Sequence, residues 1–402
     1  MRFCFYSGYK DLKGGYTTLL ITLIRELVNR KQEVVLINFT EGLIAEELSK
    51  ESIEVLIIDM DSKKWKDISA MILPTDIFII AKFEEIYRHL FHVNPRTVYF
   101  DINDFICHIS DYKFGIRLPS LGKKLVKELL TKKSLFFMDD TGIFNLKQNF
   151  GISVKDPAYL PIPVTVPCEN AYLKHHISTR DTLKFTYIGR SVNWKMMPLR
   201  KILEDCAKFS LAHKILFSIV VDSREDFAEF INLEEYAYAA NLSINVEENM
   251  PPSSINEFLL KNTDLHFAMG TAALDAAKLG IPTILVDYGT APFPQNYQYK
   301  WLFHTSNYSL GRNLDKMPFE HSNGISMENL IDLFSGNGES LNYYSEFSYK
   351  YVCENHAVEN GVNRLIAACN LASFRMANAK KYVPFYFNAH LVIKKIAGTF
   401  KK

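Results

Sequence analysis

The sequence predicts an α/β protein made of two doubly wound, Rossmann-like domains, and three observations carry that expectation. Short β-rich apolar runs alternate with helix-length amphipathic segments along most of the chain, the pattern of parallel strands joined by crossover helices. The alternation breaks once, where Pro157, Pro161, Pro163 and Pro167 fall close together. At 402 residues the chain also exceeds the ~100–200 residues of one ordinary core.

Arg2–Ser7 is the first expected strand. Tyr16–Arg30 follows as a helix, with Leu19, Leu20, Leu23, Ile24, Leu27 and Val28 at i, i+3, i+4 spacing. Glu33–Asn38 is strand-like again, so strand, Gly14-Gly15 turn, helix and strand form a βαβ unit. Ile53–Ile58, Ile77–Ala81, Thr97–Phe100 and Leu135–Met138 are further short apolar runs, and residues 1–165 read as the first domain. The four prolines suit neither a helix nor a central strand and mark the linker. Beyond it the strands are expected at Lys184–Ile188, Lys214–Val221, Ser243–Val246, Asp264–Ala268 and Thr283–Val286. Helices are expected around Leu199–Phe209, beginning near Pro198, and around Asp226–Ala239, Ile255–Lys261 and Ala272–Leu279. Residues 166–350 thus read as a second domain. Two such domains define a central cleft, with ligands expected at the carboxyl ends of their strands.

Composition narrows the function. Hydrophobic content of 48% and charged content of 23% are globular values. No apolar run reaches the ~18 residues needed to span a bilayer, and no leader precedes the first strand, so a cytoplasmic protein is expected. Six scattered cysteines without a CxxC pair suit neither a disulfide scaffold nor a structural zinc site. The net charge of +1 is uneven: eight lysines and arginines and no acid follow Glu359, which leaves 38 basic against 45 acidic residues elsewhere. A body of that sign is a poor nucleic-acid binder. No GxGxxG follows a strand, the second strand ends in Asn38 rather than an acid, and no GxxxxGK[ST] occurs, so dinucleotide and P-loop chemistry are excluded.

Two stretches of the second domain can hold an anion. Tyr187-Ile-Gly-Arg-Ser191 ends a strand, where Gly189 permits close backbone approach and Arg190 and Lys195 bring two cations to a place that suits a diphosphate. Further on, His266-Phe-Ala-Met-Gly-Thr271 runs from a strand into an alanine-rich helix whose first N–H groups face outward. Asp275 lies on the first turns of that helix, able to accept hydrogen bonds from ribose hydroxyls.

Taken together, the Gly-Gly turn before a helix, the proline hinge, Tyr-Ile-Gly-Arg with a lysine five residues on, and Gly-Thr-x-x-Leu-Asp-Ala-Ala-x-x-Gly-Ile-Pro-Thr resemble the GT-B nucleotide-sugar glycosyltransferases. The chain is most similar to the group-4-like bacterial enzymes of envelope polysaccharide synthesis, from Met1 to roughly Asn370. The resemblance implies Arg190 and Lys195 on the donor diphosphate and Asp275 on the donor ribose. Gly270, Thr271, Ala272, Ala273 and Leu274 would offer amides to the sugar and phosphate, and Gly14 and Gly15 would approach from the first domain. It further implies that residues 351–402 supply helices crossing back to the first domain and a basic, aromatic tail. Acid/base groups are expected after the Thr97–Phe100 strand, at Asp101, Asp104 and His108. The family often carries two glutamates eight positions apart, whereas here the second is Asp275 and the first is Phe267.

The implied reaction moves a sugar from a nucleoside-diphosphate sugar, UDP-sugar foremost, to a glycan or lipid-linked acceptor. No metal or other cofactor is expected, because side-chain cations and helix amides take that role, and Asp59-Met-Asp61 reads as a solvated turn. An anionic inner membrane surface is the third expected partner. Pro119–Lys133 places Leu121, Leu125, Leu129 and Leu130 at helical spacing beside Lys123, Lys124, Lys127, Lys132 and Lys133, and the tail interleaves Tyr382, Phe385, Tyr386, Phe387 and Phe400 with lysines. Two other readings share the fold: a nucleotide-sugar 2-epimerase and a non-catalytic subunit.

Overall fold

The computed structural model describes residues 1–8, 10, 15–81, 90, 92–101, 119–171, 173, 182–210, 213–317, 319, 323–336 and 338–382. The chain forms two compact units, Met1–Pro161 with Gly361–Lys402, and Ile162–Asn360.

In the first unit six parallel strands are ordered β3-β2-β1-β4-β5-β6. They are β1 (Arg2–Tyr6), β2 (Glu33–Asn38), β3 (Leu56–Asp59), β4 (Ile77–Ile80), β5 (Arg96–Asp101) and β6 (Leu135–Phe137). Every residue of β4 is buried, which fits a parallel strand covered on both faces and explains why it reads as an unbroken apolar run. The order reverses between β1 and β4.

The helix expected to lie in a membrane interface forms, at Pro119–Thr131, but its apolar face is spent elsewhere. Leu125 and Leu129 are 3% and 0% exposed and belong to the core of this unit, with Leu130 packed against it. An amphipathic stripe fits a sheet as well as a bilayer, and here the sheet takes it. Lys124 and Lys127 stay exposed on the other face. The Leu121 side chain and tail residues 383–402 lie outside the described residues. No helix among those described is long and apolar enough to cross a membrane.

The end of the described chain is built into this unit. Phe374 C=O accepts the Thr97 N–H at 2.8 Å, Met376 N–H reaches Pro95 C=O at 3.1 Å, and both side chains are fully buried. Glu128 gathers the following turn: Asn378 Nδ2 lies 2.9 Å and Lys381 Nζ 2.8 Å away, and the Tyr382 hydroxyl donates as well. Burial pushes the Glu128 carboxyl up, but hydrogen bonds from Lys381 and Tyr382 and the lysine's charge outweigh it and hold it below the ordinary value. Its stabilisation is therefore complete above the ordinary glutamate value and is lost as pH falls through the lowered one. Glu128→Gln is expected to destabilise this unit by about 1–2 kcal/mol near neutral pH, read as a lower denaturation midpoint, with the difference from wild type shrinking in acid.

The second unit orders its strands β12-β11-β10-β7-β8-β9. They are β7 (Thr182–Ile188), β8 (Lys214–Val221), β9 (Leu242–Glu248), β10 (Leu265–Ala268), β11 (Thr283–Leu285) and β12 (Lys300–Trp301). All neighbours are parallel except β12, which pairs antiparallel with β11. One face packs around the aromatic group Phe185, Phe217, Phe267 and Tyr299. The other face packs around Ala268, Ala273, Leu274 and Leu285.

Two helices differ from expectation. The one after β7 begins at Asn193 and holds Pro198 inside it, so the proline did not mark the start; it only removes the N–H that Trp194 C=O would have received. The expected Asp226–Ala239 helix is an Arg224–Phe230 helix followed by a separate 3-10 turn at Leu233–Tyr236. Asn232 divides them by turning its side chain onto the Glu234 N–H at 3.1 Å, a local bond that competes with helix continuation.

Candidate functional site

The strand order of the second unit reverses between β7 and β10, and an open parallel sheet binds ligands at the carboxyl ends of strands at such a reversal. The segments leaving these two strands are Gly189–Lys195 and Met269–Thr271. Both stretches from which the sequence leads one to expect anion binding therefore arrive at the same place.

After β7 the backbone is tightly specified. A Cβ on Gly189 would lie 2.7 Å from the Tyr187 ring, so a side chain there has no room. The Tyr187 hydroxyl donates to Lys195 C=O at 2.9 Å and ties the strand to the helix start. Ser191 N–H reaches Asp222 Oδ1 at 2.6 Å and its hydroxyl reaches Ser223 C=O at 2.7 Å. Arg190 is exposed on this fixed turn, and neither it nor Lys195 forms an ion pair among the described residues. Burial pushes the Lys195 ammonium down to about 8, the Arg190 charge pushes it further, and Asp222 only partly opposes them. Two cations close together, with the nearby Asp222 offsetting only part of their charge and neither in an ion pair among the described residues, leave a net positive turn.

After β10 the turn depends on Gly270. Its φ of 62° with ψ of −141° suits glycine, and a Cβ there would meet nothing within 4 Å, so backbone conformation rather than crowding demands the glycine. Gly270 N–H goes to Leu310 C=O and Ala273 N–H to Gly270 C=O, which leaves Thr271 and Ala272 as the first-turn amides without a backbone acceptor. Ala273 and Leu274 are fully buried and pack the helix Thr271–Ala277 onto the sheet. Asp275 is 38% exposed, and its Oδ1 accepts from Lys278 Nζ at 2.6 Å. Lys278 went unnoticed in the sequence, although three-residue spacing on a helix was the signal for it.

The position where the resemblance leads one to expect a glutamate is closed. Phe267 is 0% exposed and stacks with Phe217 in the core. His266, its neighbour in β10, is also fully buried; its Nδ1 lies 2.8 Å from the Thr186 hydroxyl, and burial pushes it to about 3, so it stays neutral.

In the first unit, Asp101 ends β5 and is 3% exposed. Its Oδ2 would lie 2.7 Å from a Cβ on Gly142, in the first turn of the Asp140–Phe150 helix. Gly15 opens the helix Gly15–Asn29. Gly14, Asp104 and His108 lie outside the described residues. Asp59 accepts from the N–H groups of Thr40, Asp61 and Ser62, a turn stabilised from within.

No protein-family model matches the chain, and neither does any curated protein. Solved structures do. A glycosyltransferase from Rickettsia africae ESF-5 superposes with a TM-score of 0.62 at 13% identity, over 92% of this chain and 98% of that one. Anabaena HepE, in complex with UDP and glucose, gives 0.54 at 9% identity over 92% and 99% of the two chains. S. aureus TarM, as a mutant in complex with fondaparinux, alpha-GlcNAc-glycerol and UDP, gives 0.55 at 9% over 92% and 99%. The chain has the GT-B fold. The GT-B match spans nearly all of each neighbour, so both units of this chain take part in it.

Proposed function

We propose that this GT-B chain is a glycosyltransferase that takes a sugar from a UDP-sugar and passes it to a glycan or lipid-linked acceptor in cell-surface polysaccharide synthesis. The observation that carries the reading is the pair of cations, Arg190 and Lys195, neither in an ion pair among the described residues, on a turn at the strand-order reversal. UDP in the structures of Anabaena HepE and S. aureus TarM supports the choice of nucleotide. In this account Arg190 and Lys195 hold the diphosphate, Thr271 and Ala272 offer amides beside it, and Asp275 takes the ribose through the oxygen that Lys278 leaves open. Gly14 and Gly15 are assigned to donor binding. Asp101, Asp104 and His108 serve the acceptor, one of them as base in an inverting reaction. Leaving-group charge is met by side-chain cations and amides, so turnover is expected to survive EDTA. Any attraction to an anionic membrane is electrostatic and comes from Lys124, Lys127 and the basic tail.

Incubation with a panel of UDP-sugars, scored for free UDP and for epimerised donor, tests the reading. Release of UDP with sugar transfer supports it; an epimer without UDP release replaces it with an isomerase. Chelation that abolishes turnover, with manganese restoring it, would overturn metal independence.

Lys195 adds a pH dependence. Because its ammonium titrates near 8, affinity for UDP is expected to fall as pH rises through about 8, while Lys195→Arg, which stays charged, binds UDP with no such decline. Titration calorimetry between pH 7 and about 9.5 reads both, and a parallel decline in the arginine variant contradicts the assignment.

A further inference from the structure

Among the described residues the two sheets have four edges, and three of them are short: β3 has four residues, β6 three and β12 two. The fourth, β9, runs for seven, Leu242–Glu248, with no proline or lysine to blunt it. Its backbone parity is fixed at both ends. Ile215 N–H donates to Asn241 C=O at 2.8 Å, and Asn249 N–H to Val221 C=O at 2.9 Å. In this parallel ladder the odd-numbered residues therefore bond β8, and Leu242, Ile244, Val246 and Glu248 turn their N–H and C=O groups outward. Two of those groups are taken: Leu242 N–H goes to Ala239 C=O, and the Arg224 guanidinium donates to Val246 C=O. Ile244 keeps both of its groups open among the described residues, and Val246 its N–H.

The side chains decide what fits there. Leu242, Ile244 and Val246 pack on the core, while Ser243, Asn245, Glu247 and Glu248 are exposed. From Asp222 to Glu248 the chain holds eight acids, all exposed, and a single base, Arg224. The elements beside β9 carry most of them: the Arg224–Phe230 helix, where the Arg224 N–H meets Glu248 Oε1 at 3.0 Å, and the Leu233–Tyr236 turn that leads toward the strand. A second β9 laid on this edge would bring two such faces together, which like charge opposes. A lysine-bearing strand has the opposite sign. This chain holds one, since no acid follows Glu359 and His390-Leu-Val-Ile-Lys-Lys-Ile396 joins β-branched residues to Lys394 and Lys395.

We propose that the β9 edge takes an added strand from a second copy of this chain, supplied by that copy's basic segment 383–402. The open backbone groups of Ile244 and Val246 make the pairing, and Glu247 and Glu248 meet lysines across it. Edge and segment are different surfaces, so the contact runs head to tail and joins copies into a ring or a chain. Neither belongs to the donor site, and the contact stands apart from the UDP-sugar reading.

Sedimentation velocity of the intact chain over a range of concentrations tests it. In ~0.1 M salt the mass is expected to rise with concentration, and in ~1 M salt, where the screening length shrinks to ~3 Å, to return to that of the monomer. Asn245→Lys with Glu247→Lys, and separately Lys394→Glu with Lys395→Glu, should each weaken association by about tenfold or more. An equimolar mixture of the two variants should associate again, because one brings an intact segment and the other an intact edge. Thermal melts of both should match wild type, and the segment variant decides the matter if the edge variant melts early. Deuterium exchange over Leu242–Glu248 should slow in the associated form. A monomer at every concentration in low salt overturns the proposal. So does association that both variants keep, or that leaves exchange over Leu242–Glu248 unchanged.

Discussion

Replacing Arg190 and Lys195 together by alanine is expected to lower UDP affinity by about a hundredfold to ten-thousandfold, since each charge-assisted contact is worth roughly 1.5–3 kcal/mol. The fold should not suffer. Arg190 is exposed and unpaired among the described residues, and burial already works against the charge on Lys195. The sign follows from linkage: between about 8 and the ordinary lysine value the unfolded chain holds a proton that the folded one has released, so the lysine's unfavourable contribution is present below that window and is relieved as pH rises through it. The double variant should therefore melt no lower than wild type near neutral pH. Calorimetry beside a thermal melt separates the two quantities. Unchanged UDP affinity would make these residues ordinary surface charges, and a large drop in melting temperature would make them structural.

Gly311→Ala carries the second largest effect, and it falls on stability and site together. The residue has a φ of 114°, where a side chain is strained, and its Cβ would stand 2.7 Å from Val286 C=O, a backbone atom that cannot rotate away. Left-handed strain and overpacking together are expected to cost about 2–4 kcal/mol. Its neighbour Leu310 accepts the Gly270 N–H at 2.8 Å, so the displacement should also reach the Gly270 turn and, on the proposed reading, raise KM for the donor in the fraction that folds. A denaturation midpoint within error of wild type would show that the loop relaxes freely and that the turn does not depend on it.

Much of the architecture was legible because parallel strands buried on both faces leave continuous apolar runs. Ile77–Ile80 is such a run, and Lys214–Val221 is one interrupted only at Lys214 and Ser218; both stand where the sequence places them. Periodicity was less informative about what a face meets: the leucines of the Pro119–Thr131 helix carry the same stripe whether a sheet or a bilayer covers them. Local chemistry misled at Pro198, which reads as a helix start and is instead tolerated inside one. The turns Gly189–Lys195 and Met269–Thr271 stand out in the sequence because glycine, cation and alanine-rich helix are local signals. The contact of Trp194 with Tyr288 was not legible, since the two leave different strands that have β10 between them. Phe267 was visible as a departure, but that it is sealed into the core required the packing.

A crystal structure of the chain soaked with UDP tests the central claim most directly. The account predicts the diphosphate against Arg190, Lys195 and the Thr271 amide, with the ribose hydroxyls on Asp275. UDP bound at the edge of the first sheet, or at the second without contact to either cation, would contradict it.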